Sequence, residues 1–168
     1  SEVDGADISY SGPLPHGSVD LGPASAFFRA ALHVERAMIF SSAPGLLERA
    51  LTLVEKEAKG KKRGVTPLAS SPRFQNSARE IRGMISAIRA EVESNAAAID
   101  AGNLSFIASA ASKARLSAKA TEAAQQILQL SGKESLFLDS PVGEIFRDFW
   151  AGLFYSGASD LLADFSKG

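Results

Sequence analysis

Cysteine is absent from this 168-residue chain, which excludes disulfides, thiolate nucleophiles and Cys-ligated metals. Histidine is almost absent. His16 and His33 are too few to build a histidine metal centre, so no metal is expected. His16, between Pro15 and Gly17, reads as a loop residue, and His33 as a packing or surface residue on a helix. Neither charge sign is in excess: the net charge of −1 leaves no electrostatic footprint for nucleic acid. No uninterrupted apolar run of membrane-spanning length is read, so no membrane span is expected. Nothing resembling a signal peptide follows Ser1. The expected location is therefore the cytoplasm. The chain reads as a domain of something longer or as a processed subunit.

What is present is an ordinary globular composition, 45% hydrophobic and 22% charged, in a length that suits one core. Residues 1–23 are rich in Gly, Ser and Pro and lack a helical period. Pro13, Pro15 and Pro23 force an extended or turning path, so this segment is expected to be a linker entering a domain over residues 24–168. From Ala24, apolar residues recur at three- and four-residue spacing (Phe27, Phe28, Ala31, Leu32, Val34, Met38), which predicts an amphipathic helix. Pro44-Gly45 interrupts it, and Leu47, Ala50, Leu51 and Val54 resume the period. A kinked helix and a pair of shorter ones both satisfy this pattern.

The run KEAKGKKR from Lys56 to Arg63 reads as a basic helix end or solvated loop, with a phosphate-contacting loop as the sharper alternative. Ser71-Pro72 supplies a serine cap and a proline at the first helical position. The helix it starts carries Phe74, Ala78, Ile81, Ile85, Ile88, Val92 and Ala96 as far as Asp100, and Gly102 stops it. Asn103 is expected to cap the next helix. That helix should bury Leu104, Ile107, Ala111, Ala114, Ala118, Thr121, Ala124 and Leu128, a face whose alanines let a neighbour pack close. Ser140-Pro141 opens an aromatic-rich helix through Phe146, Phe149 and Trp150, and Leu161, Leu162 and Phe165 suggest one more short helix. The sum is an all-α, antiparallel up-and-down bundle of four to five helices. Periodicity alone says nothing about function.

Several short landmarks recur in a familiar order. Lys113 lies in an alanine-rich helix, then come Gln129 and Gly132, Pro141, Arg147-Asp148 and Tyr155-Ser156-Gly157-Ala158. Upstream stands Leu32-His33-Val34-Glu35-Arg36. This series resembles the C-terminal helical domain of the acyl-CoA dehydrogenase and flavin-dependent monooxygenase superfamily. The resemblance implies FAD as cofactor and an acyl thioester as substrate. It also implies an N-terminal and a β-barrel domain that the sequence does not contain, and homo- or hetero-oligomers built through the helices.

In the dehydrogenases a carboxylate removes the α-proton while the β-hydrogen leaves as hydride to the flavin. The common base position is Ser156 here, which cannot serve. Glu35 matches the alternative base that some branches place on the first helix. By the same resemblance Gln129, Gly132 and Arg63 would contact cofactor, and Arg36, Tyr155 and Gly157 would lie on the substrate side. Only the first glycine of the family's Gly-Gly-x-Gly remains, followed by Lys133-Glu134-Ser135. Side chains there crowd a close backbone approach. Three readings follow: part of an acyl-CoA dehydrogenase-like oxidoreductase, inactive as an isolated chain; a monooxygenase of the same architecture; or a non-catalytic assembly domain that has lost flavin.

Overall fold

The computed structural model describes residue 31 and residues 34–136 and 139–153. The expected linker, Phe27, Phe28, Leu32, both histidines, residues 155–158 and the short helix near Leu161 lie outside these. Four long helices dominate: α1 (Ala43–Gly60), α2 (Pro72–Asp100), α3 (Phe106–Ser131) and α4 (Pro141–Leu153). A further helical segment covers residues 34–38. Single turns of 3-10 helix precede α2 at Leu68–Ser70 and follow α3 at Lys133–Leu136. The all-α bundle read from periodicity is the fold found.

α2, α3 and α4 each start at a serine that caps the first turn, whereas Ser42 before α1 makes no side-chain cap bond. The Ser71 hydroxyl accepts from the Phe74 N–H at 3.2 Å, and the Ser140 hydroxyl from the Gly143 N–H at 3.3 Å. Pro72 and Pro141 are the first residues of α2 and α4, where a missing N–H costs nothing. α3 is capped by Ser105, whose hydroxyl accepts from the Ala108 N–H at 3.1 Å, and not by Asn103. Asn103 is drawn into closing α2 instead, because its N–H bonds back to the Ala98 carbonyl while Gly102 sits at φ +67°. That left-handed closure is the helix-ending geometry glycine favours.

At Pro44 the chain restarts rather than kinks. Residues 39–42 form a turn, with the Ser41 N–H bonding to Met38 O and the Ala43 N–H to Phe40 O. Pro44 then falls in the first turn of α1, where proline is tolerated. Between α1 and α2 the basic run forms a two-residue-strand hairpin, β1 (Lys62–Arg63) and β2 (Thr66–Pro67), paired antiparallel. Gly64 takes φ +67° at its turn, and Val65 stands exposed beside it.

Ion pairs record the helix directions. Arg82 grips both carboxylate oxygens of Glu55 at 2.6 and 2.7 Å, and Arg89 bonds Glu48 at 2.7 Å, so α2 runs against α1. Arg115 and Lys119 reach Glu91 at 3.0 and 2.8 Å while Asn95, four residues on, meets Ser112, so α3 runs against α2. The core unites Leu47, Leu51 and Val54 of α1, Phe74, Ile81 and Ile88 of α2, Leu116 and Ile127 of α3, and Val142, Phe146 and Phe149 of α4. Phe149 meets Phe146 and Trp150 edge to face at 6.4 and 5.3 Å, a favoured aromatic geometry. Trp150 is half-buried against this core.

The buried face of α3 differs from the one expected. The expected Ala124 is buried and Leu128 packs against the core, but Ala110, Ser112, Lys113, Leu116, Ala120, Ala123 and Ile127 also point inward, while Ile107 is 56% exposed and Ala118 is exposed. Alanines and serines occur all round this helix, so its apolar period does not define a side; its partners do. Among the described residues one stretch, Val34–Gly60, reaches the length and hydropathy of a membrane span, which the expectation of no such run did not foresee. Apart from the exposed Val34, its large apolar side chains belong to the core or pack against it: Leu47, Ala50, Leu51 and Val54 face the other helices. Glu48 and Glu55 on its other side pair with α2.

Candidate functional site

The expected site residues divide between the two ends of the bundle. Glu35 and Arg36 lie on the helical segment before α1, half-buried. Arg63 lies on the hairpin after it, where nothing is described of its side chain. Gln129 and Gly132 lie at the C-terminal end of α3. Between the two groups runs α1, whose 18 residues span about 27 Å. The structure thus brings Glu35 together with Arg36, and Gln129 near Gly132, but does not bring the two sets to one place within a single copy. Tyr155 and Gly157 lie outside the described residues.

At the Gln129 end, an open groove of about 580 Å³ runs between the start of α2 and the end of α3. Gln126, Gln129, Ser71, Arg73 and Leu68 line it. The hairpin adjoins it, because the Leu68 N–H bonds to the Lys61 carbonyl at 2.8 Å. Gly132 closes α3 at φ +81°, ψ −166°, a conformation open essentially to glycine alone. The retained glycine is therefore required by the turn itself. The Ser135 hydroxyl donates to Gly132 O at 2.8 Å, so the positions of the lost glycines are occupied by a compact 3-10 turn. Amides and a guanidinium along an open groove fit part of a dinucleotide; the turn does not offer the bare backbone approach that three glycines would.

The Glu35 end has a different interior. Asn95, Ser109, Ser112, Lys113 and Ser117 are all buried there. Lys113 is 0% exposed. Burial holds its ammonium below the usual lysine range, the Arg36 charge adds to the depression, and Glu35 opposes it. Lys113, Arg36 and Glu35 thus form one electrostatic group. The Asn95 side-chain amide donates to Ala37 O at 3.1 Å and to the Ser112 hydroxyl at 2.8 Å. Ser112 lies 3.5 Å from Glu91 Oε1. For Glu91 burial works upward, but the hydrogen bonds and charges of Lys119 and Arg115 outweigh it and hold the carboxyl below its ordinary value.

Periodicity had already carried a trace of Asn95. It takes the next place in the stripe Ile81, Ile85, Ile88, Val92, and an amide on such a stripe needs a buried partner. Lys113 carried no comparable signal. Among the described residues no group of three or more His, Cys, Asp or Glu is placed to hold a metal ion.

Residues 26–166 match the protein family described as Acyl-CoA dehydrogenase, C-terminal domain. Among solved structures, the fold is similar to that of an acyl-CoA dehydrogenase from Geobacillus kaustophilus (TM-score 0.75, 17% identity, 85% of this chain and 38% of that one). An acyl-CoA dehydrogenase from Slackia heliotrinireducens gives TM-score 0.74 at 20% identity, over 87% and 38% of the two chains. A glutaryl-coenzyme A dehydrogenase in complex with glutaryl-CoA gives 0.70 at 16%, again over 87% and 38%. The chain thus spans well under half the length of these structures. No curated protein sequence matches it.

Proposed function

Because this chain belongs to the acyl-CoA dehydrogenase C-terminal domain family, we propose that it supplies the base and part of the cofactor surface of an acyl-thioester dehydrogenase. Glu35 takes the substrate α-proton. The observation that carries this reading is the seating of Glu35 beside Arg36 and the buried Lys113, in a polar end of an otherwise apolar bundle. Proton abstraction from carbon needs the carboxylate oxygen held within hydrogen-bond reach of the proton, so the seating of Glu35 matters to the role.

FAD, when bound, accepts the hydride. Gln129, Gly132 and Arg63 would hold it at the far end of the bundle. With about 27 Å of α1 between the two ends, the base of one copy and the cofactor surface of the same copy serve different sites. Two copies, or further domains and chains, complete each one. Acyl thioester and oligomeric assembly are thereby part of the same reading, as is inactivity of the chain alone.

The test is Glu35→Gln in the full flavoprotein, assayed with short, long and branched saturated acyl-CoA esters. Turnover falls about 10²- to 10⁴-fold, the usual contribution of a general base, with flavin absorbance retained. Unchanged turnover removes Glu35 from the mechanism.

The compact turn at Lys133–Leu136 favours a second reading, a domain kept for assembly without flavin. An assembly that stays colourless when FAD is added would select it. Oxygen-dependent substrate hydroxylation in place of dehydrogenation would select the monooxygenase.

A further inference from the structure

The break between the Glu35 segment and α1 leaves one backbone group to be accounted for. In a continuing helix the Ser41 N–H would bond to Ala37 O; here it turns to Met38 O instead. The Asn95 amide fills the vacated place, donating to Ala37 O at 3.1 Å from 58 residues away in sequence. Its second donor contact, 2.8 Å to the Ser112 hydroxyl, ties the same side chain to α3, one residue before Lys113. Asn95 is 7% exposed and Ala37 is 0% exposed. Ile39 N–H bonds to the carbonyl of Glu35 itself at 2.8 Å, so the clamped turn and the Glu35 backbone move together.

We propose that Asn95 is a positioning residue for Glu35, fixing the turn that carries the carboxylate onto α2 and α3 through its paired bonds to Ala37 and Ser112. This rests on Glu35 being the base. A carboxylate on an unpinned segment samples many placements, whereas proton abstraction needs the oxygen within hydrogen-bond reach of one carbon-bound proton. The amide is suited to the task because its NH₂ carries two donors and no charge. A buried cation in its place would add to Lys113 and Arg36.

Two measurements on the full flavoprotein test this. In Asn95→Ala, amide hydrogen exchange across residues 34–42 accelerates about tenfold, the scale of one buried hydrogen bond, while that of α1 beyond Leu47 holds. Turnover of saturated acyl-CoA esters falls about tenfold with KM little changed, and Glu35→Gln with Asn95→Ala is no slower than Glu35→Gln alone. Should Asn95→Ala not fold, Ser112→Ala removes one of the two acceptors and produces the same pattern at smaller size. Unchanged exchange over 34–42 overturns the clamp. Faster exchange with losses that multiply in the double variant shows general loosening and overturns the positioning role. Full turnover in Glu35→Gln alone would instead remove the base reading, and this role with it.

Discussion

The two ends of the α2–α3 pair are built by opposite means. Toward the hairpin, the contact is made by Phe74, Ala78, Ile81, Ala120, Ala123, Ala124 and Ile127, and the buried polar side chains are the serines flanking Gly132. Toward Glu35, Asn95, Ser109, Ser112, Lys113 and Ser117 fill the interior. Apolar burial stabilises wherever it occurs and places few demands on geometry. Each polar group taken from water must instead meet its partner, and a buried charge does no better than break even. The interior of the first end is therefore accounted for by apolar packing. The second spends stability on a defined arrangement, and Lys113 within it interacts with Arg36 and Glu35.

Four substitutions probe this contrast. Ile81→Ala, at a fully buried site, should cost about 3 kcal/mol by urea denaturation, through lost transfer energy and the cavity left behind. At Gly132, with φ +81°, alanine should cost about 1–2 kcal/mol from backbone strain; a smaller loss would mean that the turn relaxes. Lys113→Met should change stability by no more than about 1 kcal/mol, since an apolar side chain of similar volume replaces a buried ion. A loss as large as that of Ile81→Ala would break the comparison and make Lys113 a structural ion.

Its pH dependence sharpens the point. The folded state binds the Lys113 proton less well than the unfolded state does. Stability should thus gain as pH rises through the folded value toward the ordinary lysine range, a gain missing in Lys113→Met. The smallest effect is expected from Glu91→Gln. Arg115 and Lys119 are largely exposed, so the loss at neutral pH should be about 0.5–1 kcal/mol. Because the folded carboxyl is held low, that contribution is present above about pH 4. It disappears as pH falls through the lowered value, where wild type and variant should converge in thermal denaturation scans.

The helix starts at Ser71-Pro72 and Ser140-Pro141 and the stop at Gly102 were legible because each is set by a local backbone requirement. The break at Pro44 was legible as a place, but not as a choice between kink and restart, which depends on what captures the freed carbonyl. On α3, alanine on every side erased the period, and Ser105 rather than Asn103 took the cap because Asn103 was engaged in ending α2. Glu35 could be singled out by resemblance. Lys113 was visible only as a landmark: the charges of Arg36 and Glu35 that act on it come from more than 70 residues away in sequence. No local pattern encodes that meeting. Gln129 was legible as a motif position, while its distance from Glu35 emerges only once α1 is laid out between them.

The two bonds of Asn95 also set an order of events as the chain folds. Its link to Ser112 joins positions 17 apart, and its link to Ala37 joins positions 58 apart. The longer closure costs about 1 kcal/mol more in chain entropy, and local contacts tend to form first. The α2–α3 hairpin is thus the early template, and the Glu35 segment docks onto an amide already held in place. Folding kinetics would show this as Ser112 substitutions that slow refolding and Ala37 substitutions that mainly speed unfolding. The segment that carries Glu35 would then be the last to find its seat and the first to leave it.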